Sequence, residues 1–202
     1  MKTKLIITAL TIVIATALYA SDSPPVGSAA PEFSATDSKG KSVSLADYKG
    51  KYVVLEWFNP ECPFVKKHYG SGNMQKLQKN FTEKGVAWLT IDSNAPGKEG
   101  NLKPDQANKT LADWKVHSTA LLLDPDGKVG KAYGAKNTPH MFIINPEGKV
   151  IYEGAIDSKA SPNPDDIASS TNYVKAALDE AMAGQPVKTP SSRPYGCSVK
   201  YE

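Results

Sequence analysis

A cysteine followed by a proline, just past an apolar run, is suited to thiol chemistry. Here the residues are Glu56-Trp57-Phe58-Asn59-Pro60-Glu61-Cys62-Pro63-Phe64. The run before them reads as a buried strand over 52–58, and a helix is expected to open at Cys62. A helix N-terminus carries unpaired N–H groups and partial positive charge, and both stabilise a thiolate. Pro63 suits the first helical position, where its missing N–H costs nothing. Lys66 and Lys67 stand close by, and the polar Asn-Pro-Glu loop is expected to leave the thiol accessible. Cys62 is therefore the candidate nucleophile, attacking a disulfide or an oxidised thiol. Strand alternation puts Glu56 on the face of Val54 and Phe58, inside an apolar run. A carboxyl buried there has a raised pKa and is suited to moving protons.

The second of the two cysteines, Cys197, lies 135 positions beyond Cys62 in a Pro- and Gly-containing tail. Three roles are open to it. It resolves a mixed disulfide at Cys62, it staples the tail down as a static bridge, or it pairs with another chain. Closing so long a loop stabilises by roughly 4–5 kcal/mol in the chain-entropy picture. The three histidines, His68, His117 and His140, are scattered. His68 is six residues along the helix from Cys62 and reads as surface. His140 reads as structural, with a place facing the thiol as the alternative. Asp124-Pro125-Asp126-Gly127 lacks the later bidentate glutamate of a calcium loop and reads as a turn. No metal or cofactor is implied.

The elements that must position these residues follow from periodicity and turn chemistry. Short strands are expected at 31–37 and 42–45, with a helical turn at 46–50. The Cys62 helix breaks at Gly70-Ser71-Gly72 and resumes at Asn73, with Met74, Leu77 and Phe81 on one face. Gly85 stops it, and 86–91 is a second buried strand. Strand, helix, strand makes a βαβ unit. A helix follows at 104–116, a strand at 120–124 and a short helix at 129–133. Residues 141–144 and 150–154 flank the turn Asn145-Pro146-Glu147-Gly148 as a hairpin. A last helix spans 172–183, and Gly184 ends it. Trp57, Trp88 and Trp114 are expected in the core.

The first 20 residues have the marks of a secretory leader: Lys2 and Lys4, an apolar stretch over 5–18, and cleavage after Ala20. The chain is thus expected to be periplasmic or secreted, with no membrane insertion once the leader is gone. Its domains are a leader at 1–20, a folded unit at 21–184 and an extended, flexible tail at 185–202. Lys and Arg number 24 against 21 Asp and Glu. Without Lys2 and Lys4 the balance is 22 against 21, which argues against nucleic acid as a partner.

The order and spacing of these features resemble the thioredoxin fold in its peroxiredoxin-like (AhpC/TSA, or redoxin) form. The resemblance covers residues 26–184. Three features carry it: Cys62 with Glu56 six residues earlier, Thr138-Pro139 directly before the strand at 141–144, and the closing hairpin and helix. It implies an α/β fold with a central mixed sheet flanked by helices, an N-terminal strand extension and an extended C-terminal tail. It also implies a cis-proline at Pro139 facing Cys62, with Thr138 offering backbone groups to an extended substrate peptide. Thioredoxins have Cys-x-x-Cys, but here the fourth position is Val65. Peroxiredoxins place a threonine three residues before their cysteine, where this chain has Asn59. They also need an arginine, and the one arginine here is Arg193, in the tail. The pattern is similar to an exported subgroup that keeps one active-site cysteine. The expected activity is thiol–disulfide exchange, with Cys62 attacking, Cys197 resolving and Glu56 handling the proton. Partners would be protein or small-molecule disulfides and thiols, with an external electron donor. The alternatives are an atypical thiol peroxidase with antioxidant activity, and a non-catalytic binding module.

Overall fold

The computed structural model of the chain describes residues 23–202, and the leader expected at residues 1–20 lies outside them. The described chain opens with two short strands, β1 (Ser34–Asp37) and β2 (Ser42–Ser44), paired antiparallel. β3 (Val53–Trp57) leads through a loop into α1 (Pro63–Gly70). Gly72, at φ 74°, takes a left-handed turn that separates α1 from α2 (Asn73–Thr82). β4 (Ala87–Asp92), α3 (Pro104–Asp113), β5 (Ala120–Leu123) and the single-turn α4 (Lys128–Ala132) follow. Then come β6 (Asn137–Thr138), β7 (His140–Ile144), β8 (Val150–Gly154), α5 (Tyr173–Met182) and β9 (Cys197–Ser198). The Asn172 side chain caps α5 by accepting the Lys175 N–H at 2.9 Å.

Seven strands form one mixed sheet in the order β2-β1-β5-β4-β3-β7-β8. β3, β4 and β5 run parallel at its centre, while β7 pairs antiparallel with β3 and with β8. Every residue of β3 and β4 is buried. Strands covered on both faces read as continuous apolar runs rather than alternating ones, as these do.

Each face of the sheet has its own core. On one, Val54, Phe58, Trp88, Met141 and Ile143 pack with Met74 and Phe81 of α2 and with Val174 and Leu178 of α5. On the other, Leu55, Trp57, Leu89, Ile91 and Phe142 pack with Val129 and Tyr133 around α4. Burying one large apolar side chain contributes about 1.5–3 kcal/mol, so the two layers fix the pleat of the central strands and the side to which each residue points. This is the α/β arrangement that the resemblance to the thioredoxin fold implies: a central mixed sheet flanked by helices.

Residues 190–202 were expected to be flexible; instead they lie along the body of the molecule. The Glu153 N–H donates to the Pro190 carbonyl at 3.1 Å, and the Ser192 N–H returns a bond to the Glu153 carbonyl at 3.1 Å. Cys197 and Ser198 pair with Thr138 and Asn137. Farther on, the Ala95 N–H donates to the Lys200 carbonyl at 2.8 Å, and the Tyr201 hydroxyl to the Ala135 carbonyl at 2.8 Å. Backbone groups that a free tail would leave to water are paired along its length.

Candidate active site

β3 delivers the chain to Asn59, which turns it. The Asn59 side-chain oxygen accepts the Glu61 N–H at 2.8 Å, and its carbonyl accepts the Cys62 N–H at 3.2 Å. Gly100, at φ 85°, lies so close that a Cβ there would meet the Asn59 side chain at 2.3 Å. The turn is thus locked from outside. Cys62 is the N-cap of α1, in extended backbone with Pro63 behind it, and its carbonyl accepts the first helical bond from the Lys66 N–H at 2.9 Å. Its Sγ donates to the Thr138 carbonyl at 3.0 Å. The Thr138-Pro139 peptide bond is cis.

Cys197 sits opposite Thr138 in the β6–β9 pair, which brings its thiol to that of Cys62. Both cysteines are free thiols. Burial works to raise the Cys62 pKa. The side chains of Cys197 and Thr138 and the backbone N–H groups of Cys197 and Val65 outweigh it, leaving the thiol below its usual value. Cys197 moves the other way. Burial, then its hydrogen bond to Cys62 and the charge on that sulfur, push it up to about 12. Of the two coupled thiols, Cys62 therefore gives up its proton first and Cys197 keeps its own.

Glu56 is wholly buried in β3, among side chains of α1, α2 and β4. It accepts from the Tyr69 hydroxyl at 2.8 Å, Gln78 Nε2 at 3.1 Å, Trp88 Nε1 at 2.7 Å and Thr90 Oγ1 at 3.5 Å. Burial drives its pKa up to about 7, against the pull of these four donors. Neither thiol is among these partners.

Several sequence expectations need correction. Cys62 has no exposed surface at all, because the tail lies over a thiol expected to be accessible. Lys67 does not lend its charge to the thiolate. It is buried and pairs with Asp157 Oδ2 at 3.2 Å, also donating to the Lys159 carbonyl at 3.0 Å. His68 is not on the surface but fully buried, 3.4 Å from the Tyr195 hydroxyl and 2.9 Å from the Asn73 side chain. Burial lowers its pKa to about 4, helped by Lys67 and opposed by Asp157, so it is neutral at pH 7. Trp114 is half-buried, set edge-on to Phe58. His140 lies 4.7 Å from Phe142, ring to ring, and 3.5 Å from Glu153 Oε2.

Sequence reasoning passed over Tyr195, Asp157 and Gly196. The one local signal was Gly196 itself, a lone glycine before Cys197. A glycine so placed marks a close backbone approach. At φ 127°, its Cβ would lie 2.1 Å from the Thr138 carbonyl oxygen.

Fold and site define a thioredoxin-like protein with a helix-capping thiol beside a cis-proline and a second thiol brought to it by the tail. The chain belongs to the AhpC/TSA family, which it matches over residues 26–153. It is 32% identical over 147 residues to the thiol-disulfide oxidoreductase ResA of Bacillus subtilis, covering 72% of this chain and 76% of that one. Among solved structures, an uncharacterized conserved protein of Geobacillus kaustophilus superposes with TM-score 0.77 and 30% identity, covering 88% of this chain and 93% of its own. The thioredoxin domain of a thiol-disulfide oxidoreductase from Bacteroides vulgatus does so with TM-score 0.53 and 25% identity, covering 73% of this chain and 98% of its own. No helix among the described residues is long and apolar enough to cross a membrane.

Proposed function

We propose that this chain is a thiol–disulfide oxidoreductase in which Cys62 attacks and Cys197 resolves. The observation that carries the reading is the meeting of the two thiols at the N-terminus of α1, across 135 residues of sequence. The tail lifts to let a disulfide R–S–S–R′ reach Cys62. The Cys62 thiolate attacks one sulfur, giving Cys62–S–S–R and R′–S⁻. With Cys62 no longer a thiolate, two of the causes that hold the Cys197 pKa high are gone, and its proton passes to R′–S⁻. The Cys197 thiolate then attacks the Cys62 sulfur and expels R–S⁻. The substrate gains two electrons, and the protein is left with a Cys62–Cys197 disulfide for an external thiol to reduce. Glu56, near pH 7 half protonated, can take or return a proton in the wall behind α1; an intervening group must link it to the sulfurs. While the tail is lifted, the Asn137–Thr138 edge offers an extended substrate segment the pairing that β9 otherwise makes.

The charged and apolar pattern of residues 1–20 supports export to the periplasm or beyond, where such disulfides persist. Trapping tests the site. Cys197→Ser protein treated with oxidised glutathione should accumulate a glutathione adduct on Cys62. Wild-type protein should release glutathione and keep an internal bond, read by peptide mass spectrometry. No adduct on Cys62 in the variant, or a lasting adduct in the wild type, would overturn the assignment.

A further inference from the structure

Resting on that reading, we infer that Tyr195 is the positioning residue of the thiol pair, holding Cys197 in the frame of the same helix that Cys62 caps. A two-residue ladder such as β6–β9 is too short to hold a strand by itself. Anchors on either side must fix it. Downstream, the Val199 N–H and the Lys200 backbone hold to Lys136, Asn94 and Ala95; upstream the nearest side-chain anchor is Tyr195, separated from Cys197 only by Gly196. Asn137 Nδ2 holds the Gly196 carbonyl at 3.0 Å, but glycine restrains direction poorly, so the upstream placement of Cys197 depends on how firmly Tyr195 is held.

Tyr195 is held by one face of α1 and by Asp157, just past β8. Its ring packs edge-on against Phe64 with centroids 5.7 Å apart, and Lys67 Nζ lies 5.7 Å from the ring centroid. Its hydroxyl donates to Asp157 Oδ1, the carboxylate that neutralises Lys67, and stands 3.4 Å from His68 Nε2. Phe64, Lys67 and His68 share one helical face at i, i+3 and i+4. Burial and the adjacent carboxylate hold the Tyr195 hydroxyl protonated, so it stays a donor. A buried lysine and aspartate are costly unless fully paired, and here they form the socket for the tail's aromatic ring. One rigid element therefore carries Cys62 at its end and the seat of Tyr195 on its side. α1 thereby ties the two sulfurs to one frame from the upstream side, while the β6–β9 pair and Val199 hold the other side.

This seat determines the effective concentration of Cys197 at Cys62, and hence the stability of their disulfide. Each tenfold loss of effective concentration raises the potential of a two-electron couple by about 30 mV. The full-length protein is equilibrated in graded glutathione or dithiothreitol redox buffers, quenched with acid, and its free thiols counted by mass spectrometry. Tyr195→Phe keeps the ring and loses the bond to Asp157; it should weaken the disulfide about tenfold, a shift of about +30 mV. Tyr195→Ala should weaken it about a hundredfold, or about +60 mV. Tyr133→Phe serves as control: it removes a comparable hydroxyl bond, 2.7 Å to the Pro31 carbonyl in the opposite core, and should leave the potential unchanged. Tyr195 variants titrating with the wild type, or a control shifted as far as they are, would overturn the positioning role alone. A wild type that forms no Cys62–Cys197 bond at any poise would overturn both this inference and the reading beneath it.

Discussion

At the scale of single residues, the site moves three ionisable groups away from their solution behaviour. Against burial, Cys62 is held low by Cys197 and Thr138, and Cys197 is held high by burial and then by Cys62, so reaction at the first sulfur prepares the second. Glu56 is held near pH 7 by burial. Its folded pKa lies above the unfolded value of 4.5, so the folded state binds more protons between the two. The stability it contributes is full below about pH 4.5 and is lost as pH rises through 7. The expected loss is about 3 kcal/mol. Urea unfolding between pH 5 and 8 should therefore show wild type losing stability relative to Glu56→Gln. His68, lowered to about 4, acts in the opposite sense, and Asp92, raised to about 6, in the same sense. Both are present in each protein and cancel in the difference. Parallel curves would mean that Glu56 does not titrate in this range.

Among elements, α1 and the β6–β9 pair do the positioning. α1 was legible in the sequence because its signals are local: Pro63 at its start, and Gly70-Ser71-Gly72 at its end. β9 was not, because two residues carry no periodicity. Its pairing depends on Gly196, whose missing Cβ lets the tail backbone approach the Thr138 carbonyl. Gly196→Ala should push the strand off. Hydrogen exchange at the Val199 amide, bonded to the Lys136 carbonyl at 3.0 Å, should quicken at least about tenfold, the mark of about 1.4 kcal/mol lost locally. Unchanged protection would show that the tail accommodates the methyl group.

Over the whole molecule, the tail runs from the β8 edge, past the thiols, to the turn before β6, so a bond between Cys62 and Cys197 would close most of the folded chain into one loop. In the chain-entropy picture that adds about 4–5 kcal/mol. Oxidised wild-type protein should resist urea by up to this margin over the reduced form, while Cys197→Ser should be insensitive to reductant. Equal midpoints in wild type would mean that the bond strains the docked tail enough to cancel the gain.

The sequence by itself determined what short-range chemistry and periodicity control. That includes the continuous apolar strands, the cysteine capping a helix, the hairpin around Asn145-Pro146-Glu147-Gly148 and the buried side of Glu56. Tertiary structure alone decided that Lys67 and His68 point inward, that Cys62 is covered, and that Cys197 lies against it. A charged lysine is costly to bury without an acidic partner, and the one that meets Lys67, Asp157, is 90 residues away. Thr138 reaches Cys62 across 76 residues. Such meetings depend on how sheet, helices and tail pack together, and no local pattern of residues encodes that packing.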